Sequence, residues 1–229
     1  PKAFSVSAKM IQMYHPELID DAGVQYTVLG WAFQRGVAHP VSRYDRPARV
    51  FSACAGAAIY RREVFEEIGY FDERHFAYLE DLDVGYRARI FGWQNLYCPD
   101  AQVEHVGSGT SGSKYNAFKV KLAARNSIYL NYKNMPLLQL IINSPALLVG
   151  FLVKSRFFKG IGFGTEYREG LKEGLRTRRE CRKVPFRFRH LWNYFCIQGR
   201  LIGGTVLYVC EFIQRRIMGA EKAGKAGNS

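Results

Sequence analysis

The chain has 229 residues, 48% hydrophobic and 23% charged, which is enough apolar content to bury a core and excludes disorder as a description of the whole. Lys and Arg outnumber Asp and Glu by 33 to 20, a formal net charge of +13. The excess is local: residues 1–113 hold 11 basic and 14 acidic side chains, net −3, and residues 114–229 hold 22 and 6, net +16, so the two halves have different electrostatic partners.

In chain order, the acidic half reads as alternating short strands and helices. The apolar, partly β-branched runs at 26–30 and 57–60 are bounded by Gly or charge and predict buried strands. Between them, 33–49 carries Gly36, Pro40 and Pro47 and reads as a long loop, of the kind that covers a site. A short helix is predicted over 62–68, with Val64, Phe65 and Ile68 on one face and Gly69 as its stop. A second is predicted over 80–91, acids first and Arg87 and Arg89 last, the order a helix dipole favours. Strands follow at 96–98 and 101–106, then the Gly/Ser-rich run 107–113, which reads as a mobile loop.

The domain boundary falls near this loop. Residues 114–133 predict an amphipathic helix with Phe118, Leu122, Ile128 and Leu130 among Lys119, Lys121 and Arg125. From Asn134 to Val153, twenty consecutive residues carry no charge, the length of a spanning helix. Pro145, with Asn143, Ser144 and Gln139 near it, suits a re-entrant or interface-lying segment equally. Its flanks are both positive, +5 over 114–133 and +8 over 154–189, which suits a segment touching anionic head groups on one side of a bilayer. The apolar run 201–210, at ten residues, is too short to span and is expected in the same interface; 220–229 reads as a frayed tail.

Five cysteines, odd in number and none at two-residue spacing, imply neither a disulfide framework nor a zinc knuckle and point to an intracellular setting. The start Pro1-Lys-Ala-Phe4, with no initiator Met and no leader, reads as a segment of a larger protein. The densest chemical constellation is 71–83, where Asp72, Glu73, Glu80, Asp81 and Asp83 are interleaved with Phe71, Phe76 and Tyr78. Carboxylates beside aromatic walls at a helix start suit a general base; helix capping by Asp81 with a solvated first turn is the plain alternative.

Several motifs in order carry a resemblance: Ser52-Ala-Cys-Ala-Gly-Ala-Ala-Ile-Tyr60 running into Arg61–Glu73, then Phe76-Ala-Tyr-Leu-Glu-Asp-Leu-Asp83, Tyr86-Arg-Ala-Arg-Ile-Phe-Gly-Trp93 and Pro99-Asp-Ala-Gln-Val-Glu-His105. Over about residues 1–135 the sequence resembles the second half of the catalytic domain of family 2 glycosyltransferases, most of all bacterial rhamnosyltransferase-type members. The resemblance implies an α/β fold, the second half of a GT-A domain with a Rossmann-like mixed sheet over 1–113, followed by a helical, membrane-associated region over 114–219 and a flexible tail at 220–229. It implies an inverting transfer of a sugar, rhamnose among the candidates, from a nucleotide-diphosphate donor to a hydroxyl of a lipid-linked or cell-surface glycan. Asp81 would be the general base, and Glu80, Gly56, Ala57 and Asp83 would bind acceptor or sugar. His105 would sit on a divalent cation, Mg or Mn, and Lys114 in the lid would reach the diphosphate. The nucleotide-binding strands and the Asp-x-Asp carboxylates that complete the metal site would lie upstream, so this portion alone is expected to be inactive. The implied location is the cytoplasmic face of the bacterial inner membrane, peripheral or with one segment at 134–153. No Gln-x-x-Arg-Trp motif is seen, which favours transfer of one or a few sugars over polymerisation.

Two other classes compete. A basic nucleic-acid-binding module would use 176–183 with Phe186, Phe188 and Trp192, but a charge-free apolar twenty-mer beside that cluster fits a membrane surface and not nucleic acid. A noncatalytic carbohydrate-binding or membrane-surface fragment would lack any dependence on Asp81.

Overall fold

The computed structural model describes residues 2–107 and 115–226. Its strands are β1 (Ala3–Gln12), β2 (His15–Asp21), β3 (Val24–Tyr26), β4 (Ala32–Gln34), β5 (Ala48–Val50), β6 (Ala58–Tyr60) and β7 (Gln94–His105). Helices α1 (Arg62–Ile68) and α2 (Glu80–Ile90) precede β7, and α3 (Ala117–Asn134), α4 (Leu137–Gly160), α5 (Gly164–Thr177) and α6 (Leu191–Ala226) follow it. The order in the main sheet is β2-β1-β7-β5, with β6 also paired to β1, and β3–β4 form a separate ribbon. Among the described residues only β1 and β7 run parallel; the other pairings are antiparallel, so the sheet is mixed. The α/β class with an apolar helical C-terminal region is as expected from the sequence.

Where elements differ from expectation, the cause is tertiary. The central strand β1 buries Ser5, Ser7 and Lys9 alongside Phe4 and Met10, so it lacks the apolar run that announces a core strand. Ser5 Oγ donates to Asn95 Oδ1 at 2.7 Å, and Lys9 Nζ pairs with Asp45, which satisfies the polar groups in place. The two strands expected at 96–98 and 101–106 are halves of one strand. Its pairing to β1 jumps from Ala8↔Cys98 to Lys9↔Gln102, so that Pro99, Asp100 and Ala101 bulge out where a proline needs no ladder partner. The loop expected over 33–49 takes in the end of β4 and the start of β5.

Helix α2 is buried nearly all round, with Leu82, Val84, Tyr86, Ala88 and Ile90 enclosed between the sheet and the C-terminal helices. One apolar cluster joins Tyr26, Phe51, Leu82 and Tyr86 from the acidic half to Leu130, Met135, Leu147, Ile197 and Leu201 from the basic half. Helices α3, α4 and α6 therefore pack onto the sheet-bearing half across a shared core.

Helix α4 runs unbroken through Pro145. The proline cannot donate to the carbonyl of Ile141, and Ser144 Oγ donates to that oxygen instead, at 2.8 Å. The run 201–210, expected to be too short to span, lies inside the 36-residue α6, and the stretch from 220 continues this helix as far as Ala226. Two helical stretches, Leu137–Gly160 and Phe188–Arg215, are long and apolar enough to cross a membrane. Gln139, Asn143 and Gln198 hydrogen-bond between α4 and α6 at 2.8–2.9 Å, fixing their mutual register.

Candidate active site

The site is built where α2 begins. Asp81 lies in its first turn, partly exposed, and its carboxylate accepts from Leu82 N at 2.7 Å and from Ala55 N at 3.2 Å. Ser52 Oγ in turn donates to the Asp81 carbonyl at 2.6 Å. These bonds hold the helix start against the turn 54–57, which contains Gly56 and Ala57. Burial pushes the Asp81 carboxyl above the usual carboxylate range, and the Ala55 and Leu82 N–H groups pull back against that shift. Glu80 beside it is raised too, first by burial and then by the Asp81 charge, and its buried Oε2 has no hydrogen-bond partner.

A Cβ on Gly56 would meet only Met10 Cε at 3.4 Å and Cys54 Sγ at 3.7 Å. The protein itself thus leaves room there, and any demand for glycine has to come from a bound molecule. Cys54 does not offer a nucleophile: burial, then the Asp21 and Asp81 charges, push its thiol up to about 12.

Asp83, expected among the acceptor-binding residues, is a correction. It is fully buried on the opposite side of α2, where Oδ2 accepts from Lys133 Nζ at 2.9 Å and Arg87 Nε at 3.1 Å, and Oδ1 from Asn134 Nδ2 at 2.8 Å. Its lone pairs are taken by the fold, because one turn of helix cannot present residues 81 and 83 on the same face. Lys133 also reaches Asp72 Oδ2 at 2.6 Å, so the cluster is an internal tie among α2, α3 and the segment before α2.

His105 stands at the end of β7, its side chain 42% exposed, and its Nδ1 meets Asp20 Oδ2 at 2.7 Å. This contact arises because β2 and β7 flank the same end of β1, with Asp21 opposite Met10 and His105 opposite Gln12. Sequence reasoning missed Asp20 and Asp21; the acidic doublet at the end of an unrecognised strand was its signal. Asp21 is fully buried with Oδ2 unpartnered, and its carboxyl is pushed up to about 7 by burial, with the Asp81 and Asp20 charges adding to the shift. That coupling places Asp21 within electrostatic reach of Asp81. Among the described residues no three His, Cys, Asp or Glu side chains converge on one point; His105 and Asp20 form a pair. Lys114 and residues 108–113 lie outside the described residues.

Residues 40–129 match the family described as "Glycosyltransferase like family 2", a stretch that contains the 54–57 turn, the acidic pair and His105. Two curated relatives, from Mycobacterium tuberculosis strains CDC 1551 / Oshkosh and ATCC 25618 / H37Rv, are both described as "N-acetylglucosaminyl-diphospho-decaprenol L-rhamnosyltransferase". Each is 35% identical over 101 residues, 42% of this chain, and the match spans about a third (32%) of the relative's length. A solved chain of GalNAc-T7 with UDP, GalNAc and Mn2+ superposes with a TM-score of 0.40 at 16% identity, over 78% of this chain and 34% of that one, too loosely to define the fold. Over residues 40–129, the chain is similar to family 2 glycosyltransferases.

Proposed function

We propose that this chain forms the acceptor-side part of an inverting glycosyltransferase in which Asp81 is the general base. The observation that carries the reading is the Asp81 carboxylate itself. It is fixed by two backbone N–H groups, faces the open 54–57 turn, and is made more basic by burial, which matches a group that must take a proton from a hydroxyl near neutral pH. Glu80, with an unpartnered buried oxygen, is suited to bind an acceptor hydroxyl or to orient the base, and Gly56 and Ala57 leave room for sugar beside it.

His105 would present its Nε2 to a divalent cation, Mg or Mn, while Asp20 holds Nδ1 and fixes the ring. Such an ion, when bound, would neutralise the charge developing on the departing nucleotide diphosphate. The described residues contribute His105 to that set, and the remaining ligands would come from elsewhere in the protein. Lys114, outside the described residues, would reach the diphosphate. The donor would be a nucleotide-sugar, with rhamnose favoured by the names of the curated relatives, and the acceptor a lipid-linked glycan.

The apolar helices fit such an acceptor. Leu138, Ile142, Leu148 and Leu152 on α4 and Trp192, Phe195, Ile202 and Val206 on α6 are exposed, and the flanking segments are cationic. We place the protein at the cytoplasmic face of a bacterial inner membrane, held by these helices against anionic lipid. Nucleic acid is not a partner in this reading. Salt-sensitive binding to anionic liposomes, with weak binding to single-stranded DNA, is the expected pattern; the reverse pattern would refute it.

The direct test replaces Asp81 by Asn in the full-length protein and measures transfer from nucleoside-diphosphate rhamnose to N-acetylglucosaminyl-diphospho-polyprenol. A loss of roughly 10²–10⁴-fold in kcat is expected for removal of a general base. Undiminished transfer would refute the assignment of Asp81 as the base.

A further inference from the structure

The segment that delivers the acidic pair to its place is strained. Phe76, Tyr78 and Leu79 all have positive φ, at 57°, 68° and 67°, a region that L side chains with a Cβ rarely occupy. At Phe76, φ 57° and ψ −63° with Ala77 N donating to the His75 carbonyl at 2.7 Å describe a γ-turn of the rare φ-positive form. Leu79, in the left-handed conformation, is the residue from which α2 starts, and no side chain caps the helix there. Nothing in the local sequence favours this path, since none of the three is Gly, Asn or Asp.

What holds it is one side chain from another helix. Asn126 of α3 is 0% exposed, and its Nδ2 lies 2.8 Å from each of three carbonyl oxygens, those of His75, Ala77 and Tyr78. Its two N–H groups are thus shared among three carbonyls of one short segment, which converge on a single point. Arg125 beside it adds a bond from Nη2 to the Arg74 carbonyl at 2.8 Å. Asn126 itself is fixed, because its Oδ1 accepts from Arg125 Nε at 3.1 Å.

We propose that Asn126 is the positioning residue of the acidic pair: it clamps the strained 76–79 segment and so sets the direction of the first turn of α2 and the place of the Asp81 carboxylate. The proposal rests on the reading of Asp81 as base. A sequence reading has no access to it, since Asn126 lies 45 positions from Asp81 and looks like an ordinary polar residue of an amphipathic helix.

The test uses Asn126→Ala and Asn126→Ser in the full-length protein. Amide hydrogen exchange over 76–82 should speed up at least tenfold in both, while peptides from α4 and α5 keep their wild-type rates. In the rhamnose-transfer assay kcat should fall at least tenfold with the donor KM within twofold of wild type. Adding Phe76→Gly should restore kcat at least threefold, because glycine adopts positive φ without the steric cost. Unchanged exchange over 76–82, unchanged kcat, or no restoration by Phe76→Gly would overturn the proposal. Global unfolding of both variants would overturn it too, by making Asn126 a residue of the whole core. If Asp81→Asn retains full transfer, the base assignment fails separately, and the exchange measurement, which needs no activity, still decides the clamp.

Discussion

The Lys133 cluster allows a charge deletion to be worked through from the structure. Lys133 is 3% exposed on its side chain and bridges Asp83, at 0%, and Asp72, at 18%; Arg87 is the second cation. Two anions and two cations therefore balance in the interior. Lys133→Met keeps the aliphatic stem and its packing but leaves a net negative charge among groups that water does not reach. Arg87 cannot compensate, because its Nη1 and Nη2 already donate to the Ile68 and Tyr70 carbonyls at 2.6 and 2.7 Å. Breaking a buried pair from one side costs about 3–5 kcal/mol, and at 2–4 °C per kcal/mol for a chain of this size the expected fall in Tm is about 6–20 °C. The double variant Lys133→Met/Asp83→Asn should recover about 1–3 kcal/mol relative to additivity, since it removes the stranded charge.

The pH dependence of the same cluster has a fixed sign. Burial by itself would raise the Asp83 carboxyl; Arg87 and Lys133 outweigh it and hold the group at about 2 against an ordinary 3.8. Because the folded value lies below the unfolded one, the stabilisation is complete above about pH 4 and disappears as pH falls towards 2. The gap in stability between wild type and Lys133→Met should therefore narrow over that window. The assay is thermal unfolding in detergent at pH 7 and between pH 2 and 5. A Tm within 2 °C of wild type at pH 7, or a gap that stays constant down to pH 2, would refute the reasoning.

Four further outcomes are expected. Asp21, raised by burial to about 7, has a folded value above the unfolded one, so stability should fall as pH rises from about 4 through 7; Asp21→Asn should flatten that slope and stabilise the protein at pH 8 by up to about 4 kcal/mol in a denaturation experiment. A Cβ on Gly150 would sit 2.0 Å from the Leu29 carbonyl oxygen, and one on Gly204 2.3 Å from that of Tyr26, so alanine at either position should cost about 1–3 kcal/mol. Gly203→Ala, with nothing within 4 Å of the added methyl, should be neutral or stabilising by up to about 1 kcal/mol in the same melt. Replacing exposed Leu138 and Ile142 by Gln should lower partitioning into anionic liposomes at least tenfold by co-sedimentation, with Tm unchanged; equal partitioning would exclude the α4 face from the contact.

Local chemistry was legible in the sequence for the helices of the acidic half, but not for the buried strands expected at 26–30 and 57–60: the first is a strand only at Tyr26, and Ile59 of the second is exposed. Helix α1 is confined to 62–68 by its apolar spacing and Gly69, and the acids and bases at the two ends of α2 mark its polarity. The hydrogen bond from Ala55 N brings the 54–57 turn against Asp81, 26 residues on. What the sequence could not contain is any consequence of long-range pairing. β1 hides its central position behind Ser and Lys whose partners, Asn95 and Asp45, lie 90 and 36 residues away. Asp81 and Asp83 are alike in composition, yet the turn of one helix sends the first to an open surface and the second into a fully paired interior, because side chains two apart on a helix face different ways. The charge asymmetry fixed by composition, −3 against +16, separates the halves on paper. Only the tertiary structure decides that they share one apolar core, and that α3 of the basic half, through Asn126 and Lys133, holds the acidic residues of the other in place.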